Sequence, residues 1–103
     1  MNNKGLFAGK ISEVPPGSSK SVPYERFDIS LFNVGGQFYA VKEECPHAGV
    51  ALTNGSVCEG VVTCPAHSWQ FRLKDGQCVY GDEAISIKTL PVRLEGEQIW
   101  IQV

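Results

Sequence analysis

Two short segments of this chain repeat the same pair of side chains, a thiol and an imidazole separated by one or two residues. They read ECPHAG at residues 44–49 and TCPAHS at residues 63–68. Thiolate and imidazole are both ligands for transition metals, so two such segments brought together could surround a metal centre with two sulfur and two nitrogen atoms. The four candidate ligands include both histidines of the chain, and sixteen residues separate the two pairs: Cys45 and His47, then Cys64 and His67.

The order of these candidate ligands bears on the kind of metal centre. Structural zinc sites of the finger type use a pair of cysteines followed by a pair of histidines, whereas here each half is mixed. The mixed order has a purpose in a binuclear centre, because the two thiolates can bind one metal and the two imidazoles the other. The sequence therefore favours a binuclear centre, and a structural zinc-binding module is the alternative.

The same residues resemble those of the Rieske iron-sulfur proteins. The pattern C-x-H-x16-C-x-x-H, present as CPHAG and CPAHSWQF, is similar to the motif that holds the [2Fe-2S] cluster of that family. The resemblance extends to HAGVALTNG, which looks like the H-x-G-x-x-L-x-x-G loop, to GVVTCPAH around the second cysteine, and to LKDGQC in the following hairpin. It covers essentially the whole chain.

The resemblance implies a cofactor, a ligand set and an architecture. It implies one Rieske [2Fe-2S] cluster, with Cys45 and Cys64 on the inner iron and His47 and His67 on the outer iron, nearer solvent. It also implies the Rieske fold, an antiparallel sandwich or barrel-like base with a small cluster-binding β subdomain. Residues 1–103 would form one domain, with the cluster-binding loops at about residues 43–72.

Strand patterning leads independently to an all-β fold. Apolar residues alternate in short runs, and three glycine-containing turns, at residues 33–37, 74–77 and 94–98, predict three hairpins. Six prolines and the lack of an apolar stripe with helical spacing leave room for a helical turn at most. Residues 43–58 break the alternation, so we expect a loop there.

Size, charge and termini limit the possible settings. A chain of 103 residues suits one domain, and no run approaches the roughly 18 apolar residues of a membrane span. The net charge of −2, with scattered basic residues, argues against a nucleic-acid partner. The N-terminal residues lack the apolar run of a signal peptide, so we expect a cytoplasmic protein with reduced thiols.

The family resemblance implies an electron-transfer role. The chain lacks the spare histidines for a second, mononuclear iron site, so we do not expect an oxygenase, nor an enzyme by itself. We expect a ferredoxin that passes one electron from an NAD(P)H-dependent flavoprotein reductase to a terminal oxygenase. The ending of the chain also resembles the small subunit of assimilatory NAD(P)H nitrite reductase, whose large subunit is the alternative partner.

Three features that are absent from this chain bear on the redox potential. High-potential respiratory Rieske proteins carry a disulfide between the cluster loops, a serine hydroxyl and a tyrosine hydroxyl, where this chain has Val50 with Ala66, Trp69 and Phe71. Fewer hydrogen bonds to the sulfurs favour a low potential. We therefore expect a low-potential ferredoxin.

Four further side chains allow two readings each. Cys58 and Cys78 could form a redox pair, but we expect both to be small buried apolar residues, because a reducing compartment disfavours disulfides. Trp69 and Phe71 could shield the cluster or belong to the core, and the sequence does not distinguish these roles.

Overall fold

The computed structural model describes residues 5–25, 27–45, 50–66 and 68–103. Across these residues eleven strands form three antiparallel sheets, and the helical pieces are single 3₁₀ turns at Ile11–Glu13 and Leu52–Asn54. The all-β prediction is therefore confirmed. No helix in the described ranges is long and apolar enough to cross a membrane.

Two sheets form the base of the molecule. The terminal sheet has the order β1-β11-β10 and joins the two ends of the chain. Its strands are β1 (Leu6–Lys10), β10 (Val92–Glu95) and β11 (Gln98–Ile101). The central sheet has the order β2-β3-β4-β9. Its strands are β2 (Ser19–Val22), β3 (Ile29–Val34), β4 (Gln37–Lys42) and β9 (Thr89–Leu90).

The small sheet is built from one continuous stretch of the chain, with the order β5-β6-β7-β8. Its strands are β5 (Ser56–Cys58), β6 (Val61–Thr63), β7 (Gln70–Arg72) and β8 (Cys78–Tyr80). Each is three residues long and pairs with its sequence neighbour, so this sheet is a meander set apart from the base. The arrangement matches the expected small subdomain on a larger base.

Strand β3 is buried on both faces because it lies between two cores. Ile29 and Leu31 point into the base core, which fills the space between the terminal and central sheets. Phe32 points the other way, into a second core shared with the small sheet. Since side chains alternate along a strand, Ser30 lies on the same face as Phe32, and it is fully buried. The second core thus joins the base to the small sheet.

The three predicted hairpins are confirmed. Gly35 and Gly36 form the two-residue turn between β3 and β4, and both have positive φ (61° and 96°), as the turn most compatible with strand twist requires. Gly76 and Gly96, with φ of 78° and 60°, occupy the turns between β7 and β8 and between β10 and β11. Glycine supplies these left-handed conformations without a Cβ clash.

The expected loop at residues 43–58 is only partly correct. It ends in strand β5, Ser56–Cys58, which pairs with β6. A strand of three residues is too short to show a recognisable alternation of apolar and polar side chains. It becomes evident only through its pairing with β6. Before it, Glu44 and Ala51 form an isolated antiparallel bridge.

Candidate metal centre

The two candidate metal-binding segments begin with the same backbone hydrogen bond. The Cys45 amide donates to the Val50 carbonyl at 2.9 Å, and the Cys64 amide donates to the Trp69 carbonyl at 2.7 Å. Each bond joins a cysteine to the fifth residue after it. The two segments are therefore closed in the same way and over the same length, although the cysteine-to-histidine spacing in them differs.

The residues on either side of each segment are also paired. Glu44 bridges Ala51 outside the first loop, and Thr63 pairs with Gln70 outside the second. Each loop thus connects two antiparallel segments, and its cysteine is the first residue after the last backbone pair. We call residues 45–50 the first loop and residues 64–69 the second loop.

The two cysteines at these loop entrances lie together. Cys45 and Cys64 are 0% and 1% exposed, both are free thiols in the second core, and Cys45 is close enough to influence the ionisation of Cys64. Burial raises the pKa of the Cys64 thiol, and the neighbouring Cys45 raises it further, against a lowering effect of the Ala66 amide. A thiolate pair here needs a compensating positive charge, which a bound metal supplies.

The structure therefore brings together two of the four predicted ligands. His47 and His67 lie outside the described residues, so their positions rest on the sequence alone. The chemistry of the described donors fits an iron-sulfur cluster: two buried, adjacent thiols come from two equal loops that share the second core. Such a site excludes water from the sulfur side of the cofactor.

The remaining cysteines differ from each other. Cys78 is buried in the second core, as expected, and its thiol lies 3.3 Å from the Tyr80 carbonyl oxygen. The same expectation is wrong for Cys58, which is exposed at the end of the edge strand β5. An edge strand is covered on fewer sides than an inner one, and a residue at its tip has little to pack against.

The two aromatic residues that follow Cys64, Trp69 and Phe71, also differ in their burial. Phe71 is fully buried in the second core, together with both loop cysteines. Trp69 is partly exposed and packs against the edge of that core. Trp100, in contrast, lies on the base, where its ring meets Phe7 edge to face at 5.3 Å between centroids.

Sequence reasoning missed the polar residues that support the first loop. Glu43 and Thr53 lie just outside it, and the Thr53 hydroxyl donates to the Glu43 carboxylate at 2.6 Å. Nothing in the spacing of a glutamate and a threonine ten residues apart indicates such a contact, because only the closure of the loop brings them together.

The surface beside the second loop is apolar and acidic. Val79 and Tyr80 on β8 are 42% and 61% exposed, and together with Trp69 and Glu83 they line a shallow depression. Residues 43–83 contain six carboxylates and two basic side chains. One of those carboxylates, Asp75, is paired with Arg72, which holds the pKa of Asp75 down to about 2. The subdomain that carries the loops is thus more acidic than the base.

The sequence model of the Rieske [2Fe-2S] domain family matches residues 5–91 of the chain. The 3-phenylpropionate/cinnamic acid dioxygenase ferredoxin subunit of Escherichia coli (strain K12) is 32% identical over 99 residues, which cover 95% of this chain and 92% of that protein.

Two solved structures share the fold. One is a chain of the complex of reduced oxygenase and oxidised ferredoxin in carbazole 1,9a-dioxygenase, with a TM-score of 0.90 and 22% identity, covering 98% of this chain and 94% of that one. The other is described as an NADH-dependent nitrite reductase small subunit from Mycobacterium tuberculosis, with a TM-score of 0.85 and 24% identity, covering 93% and 91%. The predicted architecture is confirmed by these matches.

Proposed function

The chain belongs to the Rieske [2Fe-2S] family, and from that premise we propose that it is a ferredoxin that carries single electrons to a terminal oxygenase. One observation carries the proposal: two buried, adjacent thiols, Cys45 and Cys64, lie at the entrances of two loops closed by equivalent backbone bonds. When bound there, the cluster accepts and releases one electron.

The ligand set follows the family motif. Cys45 and Cys64 would bind the inner iron, and His47 and His67 would bind the outer iron. The burial of both thiols supports the first assignment, because the sulfur side faces the second core. The histidine assignment rests on the spacing of the motif. With this set the zinc-binding alternative is set aside.

The protein's own part in electron transfer is to hold the ligands still. Short backbone bonds at both loop entrances and pairing outside each loop fix the cysteine backbones. The geometry of a preorganised site changes little between oxidation states. The free energy needed to reorganise the site when an electron is added or removed is therefore small.

We propose that the oxygenase docks on the histidine side of the loops and on the adjoining surface of β8. The sequence places Ala48 and Gly49 there, and the second loop adds the partly buried Ala66 and the exposed Ser68. The exposed Tyr80 lines a depression together with Trp69, which follows Ser68 in the chain. Small side chains allow close approach, and the acidic surroundings favour a partner with a basic docking face.

The proposed setting follows from the relatives. The E. coli protein matched above is the ferredoxin subunit of a dioxygenase, and the carbazole 1,9a-dioxygenase structure holds a ferredoxin together with its oxygenase. We infer an NAD(P)H-dependent flavoprotein reductase upstream, a single domain over residues 1–103 with cluster-binding loops at about 43–72, and a cytoplasmic location. The chain would be an electron-transfer component, without a substrate site of its own.

A place beside a nitrite reductase large subunit is the second candidate. It is supported by the fold shared with the M. tuberculosis protein, but at 24% identity that likeness extends to the fold alone. The dioxygenase relative is matched by sequence over nearly the whole chain, which favours the first candidate.

The proposal is tested by reconstituting the protein anaerobically with iron and sulfide and reducing it. The reduced protein is then mixed with a purified Rieske oxygenase component and its aromatic substrate in the absence of reductase. We expect one electron per chain to reach the oxygenase and the visible spectrum of the ferredoxin to return to its oxidised form. Transfer to a sirohaem nitrite reductase, and none to an oxygenase, would favour the second candidate.

A further inference from the structure

A chain of polar side chains connects both ends of the first loop. Glu43 precedes the loop and Thr53 follows it, in the 3₁₀ turn Leu52–Asn54. The Thr53 hydroxyl donates to Glu43 Oε1 at 2.6 Å, and the Leu52 amide donates to the Glu43 carbonyl at 2.8 Å. Side chain and backbone thus join the same two points, one on each side of the loop.

The third of these hydrogen-bonded side chains is Ser30, in the second position of β3. Its side chain is fully buried, and its Oγ lies 2.6 Å from Thr53 Oγ1 and 3.4 Å from Glu43 Oε1. Because the Thr53 hydroxyl hydrogen points to the carboxylate, the Ser30 hydroxyl is the donor in the shorter contact. The hydrogen bonds therefore run in one direction, from Ser30 through Thr53 to Glu43.

This arrangement is informative because a buried hydroxyl is costly without a partner. Its neighbours on this face, Phe32 on β3 and Val41 on β4, are apolar and buried in the second core. Ser30 instead forms hydrogen bonds with the residues that flank the first loop. An apolar residue would pack there at no such cost.

The two loops differ in how their entrances are supported. The second loop is flanked by β6 and β7, whose three backbone pairs form a regular ladder. The first loop is flanked by one isolated bridge between Glu44 and Ala51, followed directly by the 3₁₀ turn. The first loop therefore lacks the ladder that holds the second, and the polar chain occupies the corresponding place.

We propose that Glu43, Thr53 and Ser30 are positioning residues, which hold the ends of the first loop together and so keep Cys45 beside Cys64. The inference rests on the proposed function only in that the loops hold the cluster. Glu43 lies two residues before Cys45, so a displacement at Glu43 passes directly to that ligand. The expected effect of loosening the contact is faster loss of the cluster and a wider spread of its geometry.

The test compares two substitutions at one position in the cluster-loaded protein. Thr53→Val keeps the shape of the side chain and removes its hydroxyl, whereas Thr53→Ser keeps the hydroxyl and removes a methyl group. The rate of cluster release to an iron chelator is followed by visible absorption. We expect about a tenfold faster release from T53V, the loss typical of a hydrogen bond to a charged group, and a near wild-type rate from T53S.

A control variant, a second readout and a second test variant separate positioning from general destabilisation. Ser18→Ala removes a hydroxyl that donates to the Pro15 carbonyl, within a turn of the base, and not to Glu43 or Thr53, so it should leave release unchanged. EPR lines of the dithionite-reduced protein should broaden in T53V and stay sharp in T53S and S18A. Ser30→Ala, which deletes only the buried hydroxyl, serves if T53V does not fold, and should also release its cluster faster than wild type.

Equal release rates and equal line widths for T53V, S30A and wild type would overturn the inference. Equal acceleration by T53V and T53S would do so as well, because the hydroxyl would then be irrelevant. Neither measurement involves a redox partner. Failure of electron transfer to an oxygenase, with fast release from T53V retained, would count against the proposed function alone.

Discussion

Gly81 lies against the face of the Trp69 indole, so closely that a Cβ on Gly81 would come within 2.5 Å of Trp69 Cδ2. Gly81 also has a φ of +129°, which residues with a side chain rarely adopt. Trp69 in turn ends the second loop, where its carbonyl accepts the Cys64 amide hydrogen. The segment after β8 therefore sets the position of the second loop through one aromatic ring.

This contact predicts a specific effect of Gly81→Ala. The added methyl group must displace the indole, which disturbs the Trp69 carbonyl and its bond to Cys64, and we expect cluster release at least several times faster than in wild type. The total cost of strain and overpacking should be about 2 to 3 kcal/mol in the free energy of unfolding. Chelator-driven release and urea unfolding measure the two quantities.

Gly36→Ala is the matched control for G81A. Gly36 also has positive φ, 96°, but a Cβ there meets no atom within 4 Å, and the turn lies in the base. It should lose stability through backbone strain alone and release its cluster at the wild-type rate. Equally fast release from both variants would mean that global stability, rather than the Trp69 contact, controls retention.

The residues in and beside the two loops predict a low midpoint potential. Phe71 is fully buried beside the loop cysteines and has no hydroxyl, and Val50 and Ala66 cannot form a disulfide between the loops. Rieske centres span roughly −150 to +300 mV, and the absence of these groups favours the lower end. A redox titration at pH 7 should give a midpoint below zero. A midpoint well above zero would show that other donors reach the cluster.

The four cysteines should differ in reactivity toward a thiol-alkylating reagent. Cys58 is exposed and free, whereas Cys78 is buried and the two loop cysteines are the proposed ligands. In the cluster-loaded protein we expect a single label, at Cys58, with no change in the visible spectrum. Cys58→Ser should remove the label and retain the cluster. Bleaching of the spectrum on modification of Cys58 would contradict this assignment.

The acidic character of the loop-bearing subdomain predicts salt-dependent electron transfer. Raising the ionic strength from 0.01 to 0.15 M shortens the screening length from about 30 to 8 Å, so the second-order rate of transfer to the oxygenase should fall. Glu83→Gln, beside Tyr80, should lower that rate by about twofold at low salt. Glu97→Gln, in a base turn, is the control, and an equal effect from it would exclude a local docking contribution.

Local patterns in the sequence were sufficient for the hairpins and for the pairing of the two cysteines. The turn at Gly35 and Gly36 is determined by adjacent residues. The spacing of the cysteines and histidines indicates a metal site because these side chains are the ligands that such a centre requires. The hairpins could be predicted because their information lies within a few residues, and the proximity of Cys45 and Cys64 because each belongs to one half of a repeated Cys and His motif.

The features that could not be predicted depend on contacts between distant residues. Ser30 and Thr53 are 23 residues apart, and their hydroxyls meet only when the central sheet packs against the first loop. Cys58 and Cys78 are chemically identical in the sequence, but one ends an edge strand and the other faces the second core. Burial of this kind is a property of the assembled sheets.

The central claim is that two thiolates and two imidazoles hold a binuclear iron centre, and nitrogen ENDOR spectroscopy of the dithionite-reduced protein tests it most directly. Strong couplings from two histidine nitrogens on the paramagnetic cluster are predicted, and His67→Cys should remove one of them. A reduced protein that has no EPR signal after full reconstitution, or a signal without nitrogen couplings, would contradict the account.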